Sequence, residues 1–447
     1  MQLTNQPSSS KHINIRLALA AASASLLHPL VQAEEKTPWE VDSALIVYSE
    51  ADSRVTAIEP IVALKKDMGG ERIFSMKLTL DALTGASPNG ALPANEVQTF
   101  TGPSGKGNYT AEAGELPLDD QFKDTRVAIG LNWEQPLGER NRVSIGGNFS
   151  NEYDFTSAAL NAAIARDFNN KNTTLSFGIN LESDSIDPVG GTPIPMATMI
   201  NTPDESDYAE QDSKSGNSET KTVTDALIGL TQVMNRHWLM QLNYSYGTSS
   251  GYHTDPYKIA SVLDDTGALA ESPIVPGTKW YLYESRPDSR ARHSLFFGNK
   301  FHLTEDVIDI SYRYYTDDWG IDSHTLDLRY RYQFADNMYL EPHLRWYNQN
   351  AADFYRLFVS ESSETTSGIS TLEYLSADPR LSEFTGTSVG IKYGIEFSRS
   401  SEFYIRAEQY TQSYDVKIPA SMTNLQGLDL APDLRAMSIL VGYSFEF

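Results

Sequence analysis

Segments of about ten residues that alternate apolar and polar side chains predict an all-β chain: a transmembrane antiparallel β-barrel of about 16 strands with long extracellular loops. Three observations carry this: the alternation itself, a regular exchange of tight turns with longer connections, and the final strand. In that strand Ile439, Val441, Tyr443, Phe445 and Phe447 share one face. Ser438, Gly442, Ser444 and Glu446 share the other, with Leu440 the exception. A barrel's outward face meets lipid and its inward face meets water, so alternation must persist to the rim. Val441, Tyr443, Phe445 and Phe447 therefore read as a C-terminal signal for the barrel-assembly machinery of a Gram-negative outer membrane.

Taken in order, the chain opens with Lys11 and Arg16, a mainly apolar stretch from Ile13 to Leu30, and Val31-Gln32-Ala33 before Glu34. That pattern predicts a signal peptide over residues 1–33, cleaved after Ala33, with the barrel over 34–447. His28 and Pro29 interrupt a run already near the minimum for a membrane helix. Later segments repeat the dyad. Val127, Ile129, Leu131 and Trp133 oppose Ala128, Gly130 and Asn132. Trp238, Met240, Leu242, Tyr244 and Tyr246 oppose Gln241, Asn243, Ser245 and Gly247. Leu326, Leu328, Tyr330, Tyr332 and Phe334 oppose Asp327, Arg329, Arg331 and Gln333. Charges inside a β-sandwich would be ruinous, so their repetition on one face selects the barrel.

Tight polar turns are expected at 66–71, 136–141, 169–172, 235–237, 304–306, 335–337 and 398–401. Between them lie long connections at 84–123, 183–221, 250–290 and 353–383, an intermediate one at 415–433, and short ones near 50–53, 155–157 and 317–322. Those fifteen joins give the count of about 16 strands, and the even number returns the last strand to the side of the first.

Composition excludes whole classes. The chain has no cysteine among 447 residues, which removes disulfides and thiolate metal sites. Its formal charge of −24 repels nucleic acid, so no nucleic-acid partner is expected. No phosphate loop, zinc-helix motif or nucleophile elbow occurs, and no cofactor is expected.

The densest charged region runs from Tyr281 to Tyr332. Arg286, Arg290 and Arg292 suit an anion patch on solute or lipopolysaccharide phosphate, but pairing with acidic loops such as Asp317-Asp318 is the simpler reading. Asp317, Asp318, Asp322 and His324 are the candidates for a cation site, although their spacing is not that of a calcium loop. A rim hydrolase would draw on Ser294 beside His293, or on His324 with Asp322. Alternation points Lys300, Asp309, Arg313, Asp327, Arg329, Arg331, Glu341, Arg345, Lys392, Glu396 and Arg406 into the lumen, with His302, His343 and Glu408. There they either set a transverse field or bond across and plug the barrel.

The runs Ala57-Ile58-Glu59-Pro60, Arg166-Asp167-Phe168-Asn169-Asn170-Lys171-Asn172-Thr173-Thr174, Glu284-Ser285-Arg286-Pro287-Asp288-Ser289-Arg290, Asp317-Asp318-Trp319-Gly320-Ile321 and Ala352-Asp353-Phe354-Tyr355 resemble a proteobacterial family, domain of unknown function 3570, over nearly the whole mature chain. The resemblance implies an outer-membrane or extracytoplasmic protein and brings no assigned site residues. It also implies the company of flavin-transferring and thioredoxin-like proteins. The reading reached is a porin-like channel for small hydrophilic solutes or ions, set in outer-membrane lipid and lipopolysaccharide. The alternative is a barrel that docks or sheathes a periplasmic, redox-type partner without an open pore; an outer-membrane hydrolase ranks third.

Overall fold

The computed structural model describes residues 37–51, 54–101, 108–200, 213–216 and 218–447; the expected signal peptide lies outside them. Sixteen strands follow in chain order. They are β1 (Trp39–Glu50), β2 (Val55–Asp67), β3 (Ile73–Pro88), β4 (Leu118–Pro136), β5 (Asn141–Asn151), β6 (Phe155–Phe168), β7 (Thr173–Ile186) and β8 (Glu219–Asn235). The second half comprises β9 (Trp238–Gly251), β10 (Ser289–His302), β11 (Val307–Asp317), β12 (Asp322–Ala335), β13 (Met338–Gln349), β14 (Phe384–Ser398), β15 (Ser401–Tyr414) and β16 (Leu434–Glu446). Each pairs antiparallel with the next, and β16 pairs with β1 from Glu40↔Glu446 to Glu50↔Ala436, closing a barrel. At that seam Trp39 and Phe447 exchange backbone hydrogen bonds of 2.8 and 3.0 Å. Closure leaves no unpaired edge, the condition for spanning a bilayer with strands.

Register fixes the two faces. Outward lie residues such as Ile145 (66% exposed), Leu160 (70%), Leu326 and Phe334, an apolar surface that water would not tolerate on this scale. Aromatic groups ring both rims of that belt. Trp39 with Phe74, Trp238 with Phe301 and the Tyr443–Phe445–Phe447 stack stand at the tight-turn end, with Lys66 over Trp39. Tyr246 against His293 and Tyr314 against His324 stand at the other. Fifteen joins occur, tight turns at one end and longer connections at the other, but the short one expected near 155–157 lies at 152–154, because β6 already begins at Phe155. In the 169–172 turn Asn169, Asn170 and Lys171 take left-handed φ of 51, 54 and 67°, a region asparagine enters at small cost.

The long connections fold together. Those after β3, β7, β9, β13 and β15 leave the wall in different sectors, and their contacts with one another therefore meet over the barrel axis. Ile259 N–H donates to Asn89 O (2.8 Å), Met199 N–H to Tyr281 O (2.9 Å) and Asn424 N–H to Thr266 O (3.1 Å). Val262 and Leu263 pair in parallel with Val359 and Ser360. Among the described residues the apolar core sits in this cap and at its junction with the wall. One cluster gathers Phe100, Met199, Ile259, Leu263, Tyr281 and Leu425; another gathers Val262, Trp280, Leu282, Val359 and Leu375. Burying such side chains is worth about 1.5–3 kcal/mol apiece, enough to order segments rich in proline and glycine.

Candidate functional site: the capped lumen

Beneath its core the cap carries a buried ion cluster joining two connections. Glu284, whose side chain is 0% exposed, accepts from Asp255 N–H (2.5 Å) and from the Ser376 hydroxyl, and faces Arg286 Nε at 2.7 Å. The same guanidinium donates through Nη2 to Asp378 (2.8 Å). Arg380 grips Asp378 through Nε (2.8 and 3.0 Å) and reaches Asp255 (2.7 Å). Burial pushes the Glu284 carboxyl up to about 7 despite Arg286 beside it. At Asp378 burial works the same way, but Arg380 overcomes it and holds that carboxyl well below the usual carboxylate range.

These shifts have opposite consequences with pH. The Glu284 pKa is raised, so its contribution to cap stability is present below its ordinary value of 4.5 and is lost as pH rises through about 7. The Asp378 pKa is depressed, so its contribution is present above its ordinary value of 3.8 and lost as pH falls below it. Limited proteolysis of the 252–288 and 350–383 connections should therefore run about tenfold slower at pH 5 than at pH 8. Glu284→Gln should flatten that difference. A wild-type rate indifferent to pH would refute the assignment.

The three neighbouring arginines part company, as the paired reading requires. Arg286 goes to the cap cluster, Arg290 donates through Nε to Asp317 (2.9 Å) and Arg292 reaches Asp225 on β8 (2.9 Å). The cation-site candidates do not converge. Besides Arg290, Asp317 accepts from the Tyr315 hydroxyl (2.8 Å) and from the backbone N–H of Trp319 and Ile321 (3.0 Å each). Asp318 accepts from Ala291 N–H (2.9 Å), Asp322 from Tyr314 (2.8 Å), and His324 Nδ1 meets the Tyr312 hydroxyl at 2.7 Å. With each group already bonded, no set of three histidine or acidic side chains among the described residues is placed to hold a metal ion.

The hydrolase pairs are separated for geometric reasons. His293 lies outward against Tyr244 and Tyr246. Ser294, its neighbour on an alternating strand, points to the opposite face. His324 and Asp322 each bond a tyrosine rather than each other. A serine–histidine contact that alternation did not suggest occurs at the end of β9, where Ser249 Oγ meets His253 Nε2 at 2.7 Å. His253 Nδ1 lies 2.9 Å from Gly251 O, which fixes the tautomer, and burial lowers the pKa of the ring.

The lumen candidates share the inward face, as the register from Lys300↔Asp309 through Asp327↔Arg345 to Lys392↔Arg406 shows. Most are stitched along the wall rather than across the lumen. Lys300 pairs with Asp309 (3.3 Å), Arg329 with Asp327 (3.4 Å), Arg406 with Glu341 (3.7 Å), Lys392 with Glu402 (3.2 Å), and Arg331 with Glu396. His343 bridges Asp327 (2.9 Å) and Glu408 (2.8 Å). Glycines make these flat routes passable. A Cβ on Gly394 would run into the Tyr339 ring, and one on Gly442 into that of Tyr404. Each ring lies on bare backbone, with Arg331 3.6 Å over Tyr339 and Lys392 4.0 Å over Tyr404. Among the described residues Arg313 and Arg345 form no ion pair; Arg313 lies 5.4 Å over the Phe296 ring.

Between cap and wall lies a cavity of about 1030 Å³, bordered by Glu50, Arg54 and Tyr414 on the wall side and by Asp255, Lys258 and Asp378 of the cap. Lys258 holds the cap to Pro88 O, and Tyr257 holds it to Asp154.

Fold and site together define a transmembrane β-barrel with a folded cap across one mouth. The chain belongs to the family described as Protein of unknown function (DUF3570), whose model matches residues 16–445. No curated protein matches it. Among solved structures it is similar to a ferric enterobactin receptor mutant from Pseudomonas aeruginosa in complex with enterobactin (12% identity, 85% of this chain, 55% of that chain, TM-score 0.41). It spans about half the length of that receptor. It is also similar to the CymD monoaromatic hydrocarbon channel (9% identity, 99% of this chain and 95% of that chain, TM-score 0.39). The Pseudomonas putida toluene transporter TodX is similar too (9% identity, 92% and 90%, TM-score 0.37). These overlaps are loose and assign nothing to the site.

Proposed function

We propose that the protein is an outer-membrane channel for small hydrophilic solutes or ions, with the cap deciding what enters. One observation carries this reading: charged side chains on the inward face of the wall, toward the tight-turn end, stay exposed. Inward Lys300, Arg329 and Asp309 keep side-chain exposures of 54%, 42% and 40% although they face the inside of a closed barrel. Sixteen strands enclose more volume than such side chains fill when they lie along the wall. In this reading outer-membrane lipid, including lipopolysaccharide, bathes the apolar belt, and the barrel-assembly machinery inserts the chain.

Stable conductance steps from the refolded protein in a planar bilayer are the expected result. Arg313→Glu should raise the cation-to-anion permeability ratio roughly twofold to fivefold, about 0.4–1 kcal/mol, the scale of an exposed charge interaction. Arg331→Glu should instead disturb the wall, because Arg331 is already committed to Glu396 and the Tyr339 ring. Silence from a correctly folded, heat-modifiable barrel would refute the channel. It would favour the reading in which the capped barrel sheathes a periplasmic partner.

A further inference from the structure

The lumen charges that remain after ion pairing are sorted by side. Among the described residues Arg313 on β11 and Arg345 on β13 form no ion pair within 4.0 Å; Asp327, opposite Arg345, is taken by Arg329 and His343. Four described inward acids also lack an ion pair among the described residues: Asp42 on β1, Glu59 on β2, Asp124 on β4 and Glu182 on β7. Asp184, beside Glu182, has taken Lys221 at 3.0 Å. In a ring of sixteen strands those eight apart face each other, so β11 and β13 look across at β3 and β5. Glu59 and Asp124 stand on strands that flank those two, and Asp42 and Glu182 stand one strand further out on either side. Lys77 on β3, near Glu59, offsets one charge, while Glu219 and Glu446 sit at the two rims.

We infer that the lumen is polarised across its width, acidic on the β1–β7 wall and basic at β11–β13, and that it favours small zwitterionic solutes. This rests on the channel reading. A chain of net charge −24 would suggest a cation path, but the ion pairs cancel most lumen charge and leave a transverse field instead. Such a field pulls a cation to one wall and an anion to the other. A solute bearing both charges is aligned and stabilised without being pulled onto either wall. An uncharged solute of equal size gains little.

Glycine and glycolamide share a molecular formula and differ in that one is a zwitterion. Swelling of liposomes containing the refolded full-length chain should run roughly threefold faster in glycine than in glycolamide. Arg313→Gln with Arg345→Gln should bring the ratio towards one. Glu59→Gln with Asp124→Asn, on β2 and β4 across the lumen, should do the same, so a folding failure in one pair leaves the other to decide. Equal rates for the two solutes in the wild type would overturn the polarity. No swelling with either solute would overturn the channel reading itself.

Discussion

Arg286→Ala should unfasten the cap while the barrel stays folded. The change leaves Glu284 and Asp378, with side chains 0% and 1% exposed, without their shared guanidinium. Breaking a buried ion pair by removing one partner costs about 3–5 kcal/mol, because the remaining charge stays desolvated. Arg286 lies in a connection and takes no part in the strand ladders, so that cost falls on the cap. Trypsin should then cleave the 252–288 and 350–383 connections at least tenfold faster than in the wild type, with heat-modifiable migration unchanged. Conductance should rise or become noisier. Arg286→Lys should restore little, since an ammonium cannot reach two carboxylates with the fixed fork that spans them here. A cap that stays protease-resistant in Arg286→Ala would show that the apolar clusters alone hold it.

The barrel was legible because one physical rule repeats along it. From Val127 to Phe447 each spanning segment sorts its side chains between lipid and water, and sorting at period two survives in the sequence. The rule weakens where strands rise past the apolar belt. The connection expected from residue 84 begins later, since β3 runs on to Pro88 and β4 starts at Leu118. At that height the wall is flanked by cap rather than by lipid, and alternation no longer marks a face.

The sequence marks the long connections but not how they bond to one another, for a related reason. The cap's bonds join residues as distant as Asn89 and Ile259, or Thr266 and Asn424, and local pattern does not report them. The lumen was half legible. Alternation placed Arg329 and Arg331 inward but did not show that Arg331 is spent on Glu396, two strands away across Tyr339 and Gly394. That pairing needs a glycine on one strand, a tyrosine on another and register between them.

Three of the five runs that carry the family resemblance meet at one place on the rim, and Trp319→Ala tests what that place does. Trp319 is 4% exposed at the tip of the short β11–β12 connection. Its Nε1 donates to Ser289 O (2.8 Å), Arg290 lies 4.3 Å over its face, and Phe354 meets it edge-on with centroids 5.1 Å apart. Its carbonyl accepts from Asp353 N–H (2.9 Å), and the Asp353 carboxylate lies against Gly320 (φ 84°), where a Cβ would collide with it. Residues 284–290, 317–321 and 352–355 thus form a clasp between wall and cap. Removing the indole should cost about 3–5 kcal/mol through the cavity left and the stacking lost. The loss should appear as faster cleavage at 350–383, with cleavage at 89–117, on the far side of the mouth, little changed. Uniform loosening of both connections would mean that the cap moves as one body, and that the clasp sets its stability rather than its attachment.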